Sequence, residues 1–452
     1  MSALCNRLEP SRLLVAGAGA LLLASFTGSA LAATHCVNPD GKHGCSATIG
    51  AAVSAASPGD VVQVWPGVYN EEVTISKSLS LLSAVPLGAV IDASNQANGI
   101  WVDGMSAAPN SGVANVVISG FKVRNANYEG ILLTNATNVT VEGNEVIDND
   151  RSLDYSAGAC PGIDTSFETN EQDDCGEGIH LMGVDHSTIL RNESAHNAGG
   201  ILISDETGPN DHNLVSENYV HDNVFDCGIT LASHGAATTI PGAPPAYGVS
   251  ENVISMNVSM GNGTQGAGAG VGVFAPFPGT IDTGNLVINN ILWNNGATGV
   301  ALHNHAYSPM APPVNFSNNR IIGNDFSGNG PDNPGAPTSG PTGINISSVA
   351  PINGTVVEQN TFDKEAIDIG FTAPAGSQLD AHFNNFARGT GIDDGGAGPV
   401  DATENWWGCP AGPGSKQCAA VEQSGTGVVT FTPWLTTPFA SIGELPWHHD
   451  HR

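Results

Sequence analysis

The chain has 452 residues, with 43 acidic against 13 basic side chains and a formal net charge of −30. So large an acidic excess disfavours nucleic acid and anionic glycans as partners, because a negative surface repels both. Glycine is frequent, at 57 residues, and only 12% of residues are charged, which favours an all-β repeat over long surface helices.

Residues 1–32 have the pattern of a secretory signal peptide. Basic residues precede an apolar run at 13–26, and Ala30-Leu31-Ala32 fits an A-x-A cleavage site. The apolar run is too short to span a bilayer, and no later run is long enough. We therefore expect an exported soluble protein, periplasmic or extracellular, whose mature chain begins at Ala33.

A short Ala-rich segment, Ser46 to Ala56, predicts an amphipathic helix with Ser46 as its N-cap. A helix in this place would cover the open end of the first coil of a repeat structure.

Two short phrases recur along the chain. One is a pair of Asn residues five apart, first at Asn144 and Asn149; the other is Gly-Ile-x-Leu/Ile, as at Gly178 and Gly200, 22 residues apart. Repeats near this length indicate a solenoid, and alternating Val, Ile and Leu indicate strands with one buried face. The Asn pair recurs at 192–197, 218–223, 252–257, 290–295 and 319–324.

These patterns predict one all-β domain over residues 33–440, a single-stranded right-handed parallel β-helix with a wet outer wall. Asn at the corners can form a hydrogen-bonded ladder along the axis, and both Asn and Gly tolerate the left-handed backbone that sharp corners need. Longer spacings, as around Ala236 to Ala246 and Ala306 to Pro313, predict loops gathered on one side.

Seven cysteines remain after removal of the signal peptide, and an exported protein is expected to pair them. Cys227 is left over, either as a small buried apolar residue or as a thiol ligand. The predicted pairs are Cys36 with Cys45, Cys160 with Cys175, and Cys409 with Cys418.

Both ends of the mature chain carry longer motifs. The segment Pro58 to Leu79 resembles the opening of the pectin-lyase-like right-handed β-helix superfamily, including pectinesterases and NosD-type periplasmic proteins. The motif Asn405-Trp406-Trp407-Gly408 looks like the closing coil of exported bacterial β-helix proteins. The resemblance implies the fold but no single activity, because this fold hosts lyases, hydrolases, esterases, epimerases and binding proteins.

Counting six residues from each Gly of the second phrase aligns Glu206, His234 and His305, and counting five reaches Asp205. Neighbouring coils lie about 4.8 Å apart, so Glu206 and His234 are predicted to be adjacent, with His305 about two coils further on. The four residues form the candidate catalytic set, since carboxylates and imidazoles can act as general acid and base in glycoside cleavage. Equally, they fit a polar outer wall in which His and Asp cap turns.

The same row predicts a site for a divalent metal, calcium or copper, with His234, His303, His305 and Asp226 as ligands. Cleavage after Ala32 would also place His35 third from a free amine, a pattern that suits Cu(II). The tail at 441–452 adds a His-rich tract, His448-His449-Asp450-His451.

Three hypotheses follow. The first is a monomeric exported protein that binds, and as a lyase or glycoside hydrolase cleaves, a polysaccharide, neutral rather than anionic, along its loop-bearing wall. The second is a NosD-like periplasmic metal-handling protein without catalysis. The third is a structural or adhesive surface protein, for which an inert acidic solenoid suffices.

Overall fold

The structure is a computed structural model that describes residues 32–105, 111–152, 176–235, 244–265, 268–304, 311–332 and 336–440. The chain divides into two units, Met1–Ala32 and Ala33–Arg452, and the β-structure belongs to the second. Several predicted features lie outside the described residues: the signal peptide up to 31, the 441–452 tail, His305, the Cys160–Cys175 pair and most of the two predicted loops.

The described strands pair in parallel throughout and wind into a right-handed β-helix, as the repeats predict. The central coils contribute to three walls, here named the front, rear and side walls. The front wall and rear wall belong to one 28-stranded sheet, and the side wall is a separate sheet of ten strands.

The front wall carries the Gly-Ile phrase. Its strands are Val73–Ile75, Ile100–Asp103, the first part of Ile131–Glu142, Glu177–Asp185, Gly199–Ser204, Ile229–Ala232, Val271–Phe274, Val300–His303, Thr342–Ser347, Ile367–Thr372, Thr390–Asp394 and Ala420–Gln423.

The rear wall consists of Thr34–Val37, Asp60–Val64, Leu79–Ser83, Val113–Ser119, the second part of Ile131–Glu142, Thr188–Leu190, Leu214–Ser216, Val253–Ser255, Leu286–Ile288, Arg320–Ile322, Thr355–Glu358, Leu379–His382, Val400–Asp401 and Val429–Thr430. Three two-residue strands lie between the front and rear walls: Asn210–Asp211, Val249–Ser250 and Asp282–Thr283.

The side wall consists of Gly67–Tyr69, Ala89–Asp92, Phe121–Arg124, Glu145–Ile147, Glu193–Ala195, Tyr219–His221, Val258–Met260, Ile291–Trp293, Asp325–Ser327 and Thr361–Asp363. Inward side chains of all three walls stack in columns along the axis. In the front wall Ile131, Ile179, Ile201 and Ile229 are paired coil by coil, and each is at most 1% exposed. Apolar burial of this kind contributes about 25 cal/mol per Å².

Asparagine ladders run along three corners of the coil, which confirms the predicted stacking. Most of the amide oxygens accept from both the backbone and the side-chain amide of the preceding ladder residue, as Asn257 does from Asn218 at 2.9 and 3.0 Å. The three ladders are Ser187–Asn213–Asn252–Asn285–Asn319, Asn144–Asn192–Asn218–Asn257–Asn290–Asn324–Asn360–Asn384–Asn405, and Asn149–Asn197–Asn223–Asn262–Asn295–Asn329–Glu365.

The left-handed backbone is not at the ladder asparagines, contrary to the role predicted for them. It falls on the residue before each one, for example Met256 (φ 55°) before Asn257 and His212 (φ 55°) before Asn213. The ladder position selects an amide that can donate and accept at once, whereas the position before it needs only a positive φ.

The predicted capping helix is present, in the described residues, as Ile49–Ala55, named α1. Thr48 is its N-cap, not Ser46, because the Thr48 hydroxyl accepts from Ala51 N. Glu71 accepts from the first two amides, Ile49 N at 2.7 Å and Gly50 N at 2.9 Å. Helix α1 buries Ile49 against the first coils and so covers the end of the core.

Lys77 closes the other end of α1 by donating from Nζ to Val53 O at 3.1 Å and Ala56 O at 2.9 Å. We expect Lys77→Met to destabilise α1 by about 1–2 kcal/mol, because the last carbonyls lose a charged donor. Faster amide hydrogen exchange confined to α1 is the readout. Lys364→Met is the matched control, since Lys364 is exposed and pairs only with Asp363 at 3.4 Å; equal exchange in both variants would contradict the prediction.

Two predicted disulfides are formed, Cys36–Cys45 and Cys409–Cys418, as is consistent with an exported protein. Cys227 is a free thiol, 2% exposed, with Ala269 N donating to its sulfur at 3.1 Å, which agrees with the buried apolar alternative. Burial, and then the charge of Asp226, raises its pKa well above the usual value. Within the described ranges, no helix has the length and apolarity needed to cross a membrane.

Candidate functional site on the front wall

The outward face of the front wall is covered in its central coils, not wet as predicted. Its outward side chains Leu132, His180 and Leu202 are at most 4% exposed. A second apolar cluster forms there from Leu202, Cys227, Ala232, Ala269, Phe274 and Ala301. Polar side chains in this region are therefore held away from water and must find partners within the protein.

Glu206 and His234 meet on adjacent coils, as the alignment of the Gly-Ile phrases predicts. Their strands end in register at Ser204 and Ala232, so both side chains follow the carboxyl ends of paired strands. His234 Nδ1 lies 2.7 Å from Glu206 Oε1, and the residues are 3% and 1% exposed. Such a short contact between shielded groups fixes the imidazole orientation.

The pair extends into a longer polar row. His180 Nε2 lies 2.8 Å from Ser204 Oγ, and Ser204 in turn interacts with Glu206. Burial by itself would raise the pKa of Glu206, but His234, through its charge and hydrogen bond, and then His180 bring it below the usual value. The lowered pKa favours the ionised form of Glu206, which contacts His234 directly and is linked to His180 through Ser204.

Asp205 has a different environment from its neighbour. Oδ1 accepts from His234 N at 2.8 Å and Gly235 N at 3.3 Å, and Oδ2 from Ser233 Oγ at 3.0 Å and Gly248 N at 2.5 Å. Gly235 and Gly248 flank the longest insertion of this coil, so one carboxylate joins the two ends of that insertion. These contacts assign Asp205 to positioning the backbone around His234.

We expect Asp205→Asn to destabilise the protein by about 2–3 kcal/mol, because an amide NH₂ would face two of the four donors. The loss is measured by denaturant unfolding, with Asp222→Asn as control, since the Asp222 side chain is 60% exposed. Equal stability of both variants would show that the buried donors do not depend on the charge of Asp205.

The described members of the predicted metal-ligand set, which are His35, Asp226, His234 and His303, are not gathered into one cluster. Among the described residues, no three of the predicted ligands lie close enough to share an ion. His303 Nε2 lies 3.3 Å from Asp332 Oδ2, and its ring contacts Phe274, whose aromatic side chain lies on the coil between His303 and His234. His35 Nε2 contacts Asp60 Oδ2 at 3.0 Å at the opposite end of the β-helix.

Two residues of the front wall were missed by counting from glycine. Glu129 and Glu177 both precede a Gly-Ile pair on adjacent coils and are 2% and 1% exposed. The sequence carries a signal for them, because Glu-Gly-Ile occurs at 129–131 and again at 177–179. His180 lies beside both carboxylates. From the sequence alone, a single His at such a position is expected to be a structural residue of the wall and not a ligand.

Residues 90–243 match a protein family described as "Right handed beta helix region". Similar folds occur in the Dettilon tailspike protein (gp208), with 16% identity, coverage of 83% of this chain and 64% of that one, and a TM-score of 0.51. The Agl-KA catalytic domain is similar at 13% identity, with coverage of 85% and 64% and a TM-score of 0.52.

An alginate lyase from Paenibacillus sp. str. FPU-7 has 16% identity, coverage of 75% and 96%, and a TM-score of 0.44. No curated protein sequence matches the chain. The chain spans a little under two thirds of the tailspike and Agl-KA structures. At these identities the likeness concerns the fold.

Proposed function

Because this chain is a right-handed parallel β-helix protein, we propose that it binds and cleaves a polysaccharide along its front wall. The observation that carries the proposal is the Glu206–His234 pair, at 2.7 Å on adjacent coils and shielded from water. An ionised carboxylate that holds one imidazole nitrogen orients the ring, so that the other nitrogen can transfer a proton. Proton transfer to or from a sugar is the step that both glycoside hydrolysis and elimination require.

Two partly exposed aromatic residues belong to the coil of His234 and to the coil after it. Tyr247 is half-buried and immediately precedes Gly248, whose N donates to Asp205 Oδ2. Burial, followed by the negative charge of Asp205, raises the pKa of Tyr247. Phe277, 38% exposed, belongs to the next coil. Flat rings of this kind pack against the apolar faces of sugars, so we assign Tyr247 and Phe277 to substrate binding and Glu206 and His234 to proton transfer.

The charge balance supports a neutral substrate over a polyuronate. A net charge of −30 repels polyanions at long range. A divalent ion such as calcium or copper could bridge an anionic chain to the protein, and for that reason substrates should be screened with and without each metal.

The test is a screen of neutral and uronate polysaccharides that follows new reducing ends for hydrolysis and ultraviolet absorbance for elimination. Against a substrate that the parent cleaves, we expect His234→Asn and Glu206→Gln to lower kcat by about 10²–10⁴-fold. His196→Asn is the matched control, because His196 is exposed beside His221 of the side wall and its left-handed backbone (φ 58°) accepts asparagine.

Retained activity in both front-wall variants would refute the assigned roles. Binding without turnover in the parent would reduce the proposal to a carbohydrate-binding protein. If the parent neither binds nor cleaves any polysaccharide, the structural or metal-handling alternatives replace the proposal.

A further inference from the structure

A cluster of three ionisable residues lies on the front wall upstream of the Glu206–His234 pair. Glu129, Glu177 and His180 each present one ligand atom, and these atoms all lie within 4.8 Å of one another. All three residues are at most 2% exposed. His180 Nδ1 is 3.6 Å from Glu129 Oε1.

The register of the coils brings the two carboxylates together. Ile131 pairs with Ile179, so Glu129 and Glu177, each two residues earlier, occupy the same position in consecutive coils. The next coil has Gly199 at this position, where an added Cβ would lie 3.3 Å from Glu177 Cγ. The column therefore holds two stacked carboxylates and then a residue without a side chain.

Two carboxylates stacked out of water repel each other and need a compensating charge. One imidazole can balance at most one of them. Glu129 Oε1 is buried and accepts no hydrogen bond, although it points at His180. A buried carboxylate oxygen in this condition is costly unless a cation binds it.

The three ligand atoms of this cluster suit some cations better than others. Two carboxylate oxygens and one imidazole nitrogen suit Zn²⁺ or Mn²⁺, whereas Ca²⁺ favours oxygen ligands alone and Cu(I) favours sulfur. Ser204 Oγ, 2.8 Å from His180 Nε2, can accept a hydrogen bond from the protonated Nε2, which leaves Nδ1 unprotonated and able to bind a cation beside the carboxylates. Outer partners of this kind orient metal-binding histidines.

We propose that Glu129, Glu177 and His180 bind one divalent cation of the zinc or manganese class, with a dication balancing the two carboxylates. This site shares no residue with the ligand set predicted from the sequence. It also differs from a surface cluster of Asp185, His186 and Asp211, in which His186 is exposed and contacts Asp185 at 3.1 Å.

The test uses the purified protein freed of metal with a chelator and titrated with Mn²⁺, followed by calorimetry and by electron paramagnetic resonance of the bound ion. We expect one tight Mn²⁺ site in the parent and an affinity about 30-fold weaker in Glu177→Gln and in Glu129→Gln. Each of these variants nearly keeps the shape of the side chain and removes one negative charge. His186→Asn is the matched control and should bind like the parent, since Asn tolerates the left-handed backbone of position 186 (φ 50°).

Anomalous scattering from a Zn²⁺-soaked crystal of the parent locates the bound ion directly and does not depend on whether the Gln variants fold. A peak in contact with Glu129, Glu177 and His180 supports the proposal. Equal Mn²⁺ affinity of the parent and both Gln variants, or a zinc peak only at the His186 cluster or the chain ends, would overturn it. A parent without any tight site would also overturn it and would mean that protons neutralise the pair.

Discussion

Replacing Asn257 by alanine is expected to lower the free energy of unfolding by about 5 kcal/mol, one of the largest single-residue losses in this fold. Asn257 is fully buried and accepts from Asn218 N and Nδ2, while its own Nδ2 donates to Val215 O at 3.0 Å. Alanine would remove the side-chain acceptor of Asn218 N, one of the two acceptors of Asn218 Nδ2 and the side-chain donor to Val215 O, while Asn218 Nδ2 would still donate to Ile189 O. A buried group left without a partner costs about 1–3 kcal/mol.

Met256→Asn is the matched control for this change. Met256 precedes the ladder, is 39% exposed and has a φ of 55°, which asparagine adopts readily. We expect its stability to equal or slightly exceed that of the parent in denaturant unfolding. If Asn257→Ala were no more harmful than Met256→Asn, the ladders would be a consequence of the fold and not a source of its stability.

Replacing Glu365 by glutamine is expected to stabilise the protein at pH 8 by about 3 kcal/mol. Glu365 ends one ladder, where Oε1 accepts from Asn329 N and Nδ2 at 3.2 and 2.9 Å, and its Oε2 is buried without a partner. Burial raises its pKa from 4.5 to about 7 despite the bonds from Asn329. A pKa difference of this size corresponds to about 3 kcal/mol.

The direction of the pH dependence follows from the raised pKa. Below pH 4.5 both the folded and the unfolded chain carry the proton, and Glu365 imposes no penalty. Between pH 4.5 and about 7 the unfolded chain releases a proton that the folded chain retains, so stability falls as the pH rises. Asp368, almost fully buried with a pKa raised by burial, acts in the same direction.

Denaturant unfolding between pH 4 and pH 8 measures this effect. The Glu365→Gln variant should lose less stability than the parent over this range, whereas Glu358→Gln, a half-buried glutamate of the rear wall, should follow the parent curve. Parallel curves for the parent and Glu365→Gln would contradict the proposed ionisation of Glu365.

The repeat and its Asn ladders could be predicted because the same physical demand recurs in every coil. The corners were harder to assign. Three ladders lie five residues apart, at Asn213, Asn218 and Asn223 in one coil, so a pair of Asn residues five apart fits two registers. The pairs at 252–257 and 319–324 span the first two corners, whereas the others span the last two.

The register between coils is also ambiguous in the sequence near the C-terminal end of the front wall. In the structure Ile344 pairs with Ile369, so Gly343 aligns with Asp368 and not with another glycine. A carboxylate at a position otherwise held by glycine breaks the sequence pattern, and only the ladder of backbone hydrogen bonds reveals the register.

The candidate site was partly predictable for the same reason. Glu206 and His234 follow strands that are in register, so counting along the chain was sufficient to bring them together. Glu129 and Glu177 are separated by 48 residues instead of about 22, and this insertion concealed their alignment although both precede Gly-Ile. The burial of the outward face was not predictable, because strand periodicity does not indicate what covers a wall.

The most direct test of polysaccharide binding at the front wall is a crystal structure of the protein with an oligosaccharide from the polysaccharide that it binds best. We expect density for a sugar ring stacked on Tyr247 or Phe277, with a glycosidic oxygen within hydrogen-bond distance of His234. Sugar bound only to the side wall or at an end of the β-helix, with none near Glu206 and His234, would contradict it.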